Sequence, residues 1–155
     1  YKNSNFVTIE NSAISINNEI SFLFKVDSRF IHLYDEHILG VSSFDRNHLV
    51  KHGVKKKHIV KEKINSLSIN ELLKKHNITE IDLLYVDAEG YDGKIVKDFI
   101  SNSSLIPIII FEYIHVDNIV FHELVLKLKK INYKFFSINE NIICYPPNRI
   151  INIDT

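Results

Sequence analysis

Apolar and polar positions repeat along this chain with two different periods, and the switches between them mark its elements. Residues 5–10 alternate with period two and predict a first strand near the start. The segment Asn11-Ser12-Ala13-Ile14-Ser15 leads out of it, and Asn17-Asn18 signals a turn. Residues 19–26 predict a second strand, which either forms a hairpin with the first or belongs to a small accessory sheet. Residues 27–57 are the least periodic part. They predict a loop-rich insertion with at most short elements, holding Gly40, Ser42-Ser43, His32, His37 and His48. Irregular segments of that length often carry binding loops. Lys55-Lys56-Lys57 reads as a solvated turn.

Residues 58–64 alternate again as a strand. Ser68 stands three residues before Glu71, the capping-box spacing, and Ile69, Leu72, Leu73 and His76 form a helical stripe closed by Asn77. Residues 81–86 (Ile-Asp-Leu-Leu-Tyr-Val) predict a strand buried on both faces. A helix follows over 93–100, then a strand over 107–112 with Pro107 at its edge. Val120, Leu124, Leu128 and Ile131 place a helix over 119–131, ended by Asn132. Short runs at 133–137 and 141–145 predict an antiparallel hairpin, and residues 148–155 a tail after Pro146-Pro147. Strand and helix alternate from residue 58 onward. That order predicts an α/β domain with a mainly parallel sheet and a closing antiparallel hairpin.

Composition narrows the picture. The 155 residues suffice for one domain with a real core, and 45% hydrophobic with 25% charged residues is ordinary globular usage. Nineteen basic residues balance nineteen acidic ones, so charge gives no reason to expect nucleic acid or an anionic membrane as partner. The single cysteine, Cys144, excludes an intramolecular disulfide and a Cys-rich zinc site; it fits a reducing compartment, and the expected location is cytoplasmic. Cys144 itself reads as a small core residue. No apolar stretch approaches the roughly 20 residues that span a bilayer. The chain opens on Tyr1 with a strand almost at once, which predicts that an N-terminal part is missing.

Ligands of open α/β sheets sit just outside the carboxyl ends of the strands. Asp87 and Glu89 fall at one such end and Glu112 at the next. Asp87 and Glu89 face opposite sides if the strand stays extended that far. Asp92 reads as the first charge of the following helix. His115, three residues beyond Glu112, is a candidate general base, a role imidazoles commonly fill. Acids on adjacent strand tips can hold a divalent ion or a polyol, but no acid–Asn pair favours the ion and no metal is expected. His32, His37 and His48 lack compact ligand spacing for zinc.

Several segments together resemble a known family. Ile81-Asp82-Leu83-Leu84-Tyr85-Val86-Asp87-Ala88-Glu89-Gly90-Tyr91-Asp92 resembles the "IDLLKIDVEGAE" segment of FkbM-type S-adenosylmethionine-dependent methyltransferases. Asn11-Ser12-Ala13-Ile14-Ser15 is similar to that family's "N-A-A-(I/V)-S", and residues 66–73 to its "T-L-D-D-L-L". Residues 107–112 resemble its "P-x-V-I-x-x-E" strand and Ile131-Asn132-Tyr133 its "L-G-Y" helix end, all in the family's order. The resemblance implies a Rossmann-like class I methyltransferase sheet over residues 1–147, truncated at its N-terminus. The family's glycine-rich strand–turn–helix and its ribose-binding acid do not occur here, and Asp92 stands where the family has glutamate. It also implies methyl transfer from S-adenosylmethionine to a hydroxyl of a sugar or small molecule in the intact protein. That in-line displacement needs aligned partners and a proton acceptor. Asp87, Glu89, Glu112 and His115 are then the catalytic candidates, and Asn11, Ser12, Ala13 and Asp87 border the cofactor. Two other expectations stand beside this one: a truncated or degenerate α/β module that binds a glycan or a protein without catalysis, and a different nucleotide-binding α/β enzyme. A sheet lacking its central strands would expose the apolar edge of the 81–86 strand.

Overall fold

A computed structural model describes residues 6–16 and 21–148. Its elements in chain order are β1 (Ala13–Ile14), β2 (Ser21–Val26), α1 (Glu36–Leu39), α2 (Arg46–Lys51), β3 (Ile59–Ile64), β4 (Ser66–Leu67), α3 (Ile69–Lys75), β5 (Leu83–Val86), α4 (Asp92–Asn102), β6 (Ile108–Glu112), α5 (Asn118–Lys130), β7 (Lys134–Ile138) and β8 (Asn141–Tyr145). Two 3-10 segments, Ser28–Leu33 and Lys56–His58, complete the described set.

The C-terminal part forms a scaffold around a four-stranded sheet of order β5-β6-β8-β7. β5 and β6 run parallel, joined through α4, with Leu83 opposite Ile108 and Val86 opposite Phe111. β8 inserts antiparallel between β6 and β7. The closing hairpin is therefore as expected, while the sheet is mixed: one ladder is parallel and two are antiparallel. Helices α4 and α5 bury apolar stripes against it, and Val96, Phe99, Ile109, Phe111, Leu124 and Cys144 are sealed from solvent. The Tyr133 hydroxyl donates to the Pro107 carbonyl at 2.8 Å, so the buried phenol keeps a partner.

Local chemistry sets the helix ends. The Ser68 hydroxyl accepts from the Glu71 N–H while the Glu71 carboxylate accepts from the Ser68 N–H, the full capping box. Asn77 closes α3 at φ +53°, with the Ile78 N–H donating to the Leu73 carbonyl. Asn132 ends α5 in the same way at φ +62°, with the Tyr133 N–H donating to Leu128.

A second unit, the cap, spans residues 21–64. β2 pairs antiparallel with β3, from Ser21 opposite Ile64 to Val26 opposite Ile59. The two short helices between them close over a small core of Val26, Ile38, Val41, Leu49 and Val54. β2 thus belongs to an accessory sheet, paired with β3 and not with residues 6–10. Asn5 and the Asn17-Asn18 turn lie outside the described residues.

Two sequence expectations fail here. Residues 6–10 form no strand: Phe6 is fully exposed and Ile9 largely so, because the alternating side chains find no sheet to lie on. The segment is fastened through Glu10, whose carboxylate meets Lys75 at 2.7 Å and His76 at 3.0 Å. The short β1 follows it and pairs parallel with β4. β5, in turn, is not buried on both faces. Among the described residues it is an edge strand, and Leu83 and Tyr85 are 51% and 57% exposed. Apart from Asn148, the expected tail lies outside the described residues. No helix among the described residues is long and apolar enough to cross a membrane.

Candidate functional site

The chain leaves β5 through a β-turn over residues 88–91. The Tyr91 N–H donates to the Ala88 carbonyl at 3.0 Å, and both central residues have positive φ: +48° at Glu89 and +91° at Gly90. This is the signature of a type I′ turn, whose two central residues favour the left-handed region. Gly90 is additionally required by space, because a Cβ there would lie 2.9 Å from the His115 carbonyl oxygen. Glu89 has no such exemption; a glutamate held in the left-handed region is strained.

Asp92 holds the turn in place. It is fully buried, and its carboxylate accepts from the Ala88 N–H at 3.1 Å and the Gly90 N–H at 3.0 Å. Burial raises its pKa above the ordinary aspartate value, while those N–H groups act the other way. Its role is structural. The turn also ends the extended geometry, so Asp87 and Glu89 do not alternate across a continuing strand: Asp87 is exposed at the strand tip, and Glu89 is half-buried and aimed by the turn.

Glu112 ends the neighbouring strand as expected. Its Oε1 lies 3.4 Å from His115 Nδ1. Burial raises the Glu112 pKa, opposed by His115 and reinforced by the nearby Asp92 and Glu89. One further element approaches from the cap. His48 lies on α2 and His52 caps its end, four residues on, so both project to one side. The rings of His48, His52 and His115 form a triangle, with centroids 4.6 Å apart for His48–His52, 5.6 Å for His48–His115 and 5.5 Å for His52–His115. His48 Nε2 is buried without a hydrogen-bond partner and lies 3.4 Å from Glu89 Oε2. Burial, then His52, push the His48 pKa down; Glu89 pushes it up. The buried histidine of the cap core behaves differently. His58 Nδ1 meets the Tyr34 hydroxyl at 2.7 Å, and its ring stacks on Phe30 at 4.0 Å.

Beside this cluster, at the carboxyl end of β5, lies a cleft of about 590 Å³. Ala13, Ile14, Phe44 and Tyr91 form apolar walls, and Asp87 and Glu89 supply carboxylates. The structure thus brings Asp87, Glu89 and Ala13 to one cleft and sets Glu112 and His115 beside it. Asn11 is exposed and Ser12 donates to Glu10 at 2.8 Å; neither lines the cleft. His32 and His37 are exposed and stand outside the cluster, whereas His48 is not isolated. His52 is the residue that sequence reasoning missed. Its signal was present as His48-x-x-x-His52, the spacing that places two imidazoles on one helical face.

A family model described as Methyltransferase FkbM domain matches residues 3–135. Comparison with curated proteins and with solved structures gave no match.

Proposed function

The chain belongs to the FkbM methyltransferase domain family, and on that premise we propose that the intact protein transfers a methyl group from S-adenosylmethionine to a hydroxyl of a sugar or small molecule. The observation that carries this reading is the cleft at the carboxyl end of β5, which unites apolar walls with the carboxylates of Asp87 and Glu89. Apolar surface suits an adenine ring, and strand-tip carboxylates suit ribose hydroxyls. The order β5-β6-β8-β7 is consistent with one half of a Rossmann-like sheet.

The cleft fits the nucleoside part of the methyl donor: Ala13, Ile14 and Phe44 would border the base, and Asp87 the sugar. Among the described residues no glycine-rich turn faces the cleft to take the amino-acid part. When bound, the donor supplies an electrophilic methyl on a sulfonium. The chain's own task is to orient the acceptor hydroxyl and take its proton. We take His115 with Glu112 as the first candidate base, since the carboxylate 3.4 Å from Nδ1 can hold the imidazole in one orientation and stabilise its protonated form. Asp87, exposed at the strand tip and lining the cleft, is the second candidate base.

Titration of S-adenosylmethionine into the intact protein, followed by calorimetry, tests the reading. Saturable heat at micromolar donor supports it; no heat at high micromolar donor favours the non-catalytic binding module. Asp87→Asn should lower turnover by about a hundredfold if the carboxylate is the base. Unchanged turnover assigns that role to His115.

A further inference from the structure

We propose that His48, His52 and Glu89 form a binding site for a divalent first-row transition-metal ion, flanked by Glu112 and His115. One ligand atom from each of His48, His52 and Glu89 lies within 4.8 Å of the others, and the same holds for Glu89, Glu112 and His115. Glu89 is common to both groups, so an ion on its carboxylate is reached from the cap on one side and the scaffold on the other. Donors bound at the usual 2.0–2.2 Å stand roughly 3–4 Å apart, so modest side-chain rotation closes either set.

The donor chemistry selects the kind of ion. All-oxygen sites suit magnesium and calcium, whereas imidazole suits zinc, iron, cobalt and nickel; two histidines with one carboxylate leave further positions open. The surroundings favour a cation over any other occupant. His48 Nε2 is buried, has no hydrogen-bond partner, and points toward a carboxylate oxygen at 3.4 Å. A buried imidazole nitrogen without a partner is costly. A metal ion satisfies the nitrogen and the carboxylate together. The scaffolding is also of the right kind. The two histidines are fixed on one helical face, and Glu89 is held in its strained left-handed conformation by a turn that Asp92 pins. Glu112 near His115 Nδ1 supplies the carboxylate that orients a histidine beside a metal.

This site does not rest on methyl transfer, and its test uses no methyl donor. Cobalt(II) is added to the folded chain and followed by visible absorption, with zinc as competitor. One equivalent should bind, with ligand-field bands and displacement by zinc, and zinc should raise the melting temperature. His48→Ala/His52→Ala and Glu89→Gln should each weaken binding by more than the 10–100-fold typical of losing an outer partner, with the circular dichroism unchanged. His32→Ala/His37→Ala should leave binding as it was. If the His48/His52 variant loses its fold, His52→Gln alone serves, since His52 only caps α2 and contributes nothing to the cap core. The proposal is overturned if the folded parent binds no cobalt up to about 100 times the protein concentration. It is equally overturned if binding persists unchanged in the folded His52→Gln or Glu89→Gln chain, or is lost on changing His32 and His37.

Discussion

The scaffold and the cap bury apolar side chains on different scales. In the scaffold, a continuous core runs from Ile69 on α3 through Val96 and Phe99 on α4 to Leu124 and Leu128 on α5, under strands that contribute Ile109 and Phe111. The cap core is Val26, Ile38, Val41, Leu49 and Val54, with Phe24, Tyr34 and Ile59 at its margin. The acids of the candidate site come from the deep core's strand ends, whereas His48 and His52 come from the shallow one. Local stability follows buried apolar contacts. On that ground the carboxylates should be fixed by the part of the molecule that opens last, and two of the three imidazoles by the part that opens first.

The largest effects divide these regions. Phe99 has no exposed surface, and Phe99→Ala should cost about 3–5 kcal/mol by emptying the centre of the scaffold. Leu49 is equally sealed, and Leu49→Ala should cost the cap about 2–4 kcal/mol. Hydrogen exchange separates them. Leu49→Ala should speed exchange in β2 and β3 and spare α4 and β6, while Phe99→Ala should speed exchange throughout. Equal loss of protection in β6 from both variants would join the two regions into one cooperative unit.

The same division governed what could be read from sequence. The scaffold was legible because each helix announces its ends chemically: Ser68 with Glu71 at the start of α3, and Asn77 and Asn132 in left-handed closures. Its strands were short apolar runs of the right length, and β6, β7 and β8 lie where those runs are. Residues 6–10 misled because alternation reports a preference for a sheet face, not the presence of a partner strand. The burial of β5 misled for a related reason, since its apolar composition does not reveal that, among the described residues, one face and one edge lie open. Of the site, the acids were legible as strand-end residues. Their arrangement was not, because the type I′ turn reverses the chain after Ala88 and places Glu89 where no strand alternation would put it. The meeting of α2 with residues 112–115, which brings His48 and His52 to His115, depends on contacts between segments far apart in sequence.

A middle-sized effect tests how firmly the scaffold presents its carboxylate. Gly90→Ala places a methyl group 2.9 Å from the His115 carbonyl oxygen and a side chain at φ +91°. It should cost about 1–3 kcal/mol in chemical denaturation. Glu89→Gly should behave oppositely: it relieves the left-handed strain at φ +48° and should leave stability within about 1 kcal/mol of the parent, its gain offset by the freer unfolded chain. A large loss on Glu89→Gly would mean that the glutamate supports the fold instead of being held by it.

The smallest effect compares how each region holds an acid. In the scaffold, Glu10 is lowered from its ordinary value of 4.5 to about 2, chiefly by the Lys75 ammonium and then by Ser12 and His76. In the cap, Asp27 is lowered from 3.8 to about 2 by the guanidinium of Arg29, only two residues away. Both folded values are depressed, so the unfolded chain binds more protons in the interval below the ordinary values. Each contribution is complete above that ordinary value and is lost as pH falls through about 2. The contacts differ in reach. Arg29 is near Asp27 in any conformation of the chain, which shrinks the difference between folded and unfolded states, whereas Lys75 and His76 meet Glu10 only when α3 is in place. Glu10→Gln should therefore flatten the fall of the urea midpoint between about pH 5 and pH 3 more than Arg29→Ala does. The reverse order would show that acid opens the cap before it loosens the segment fastened to α3.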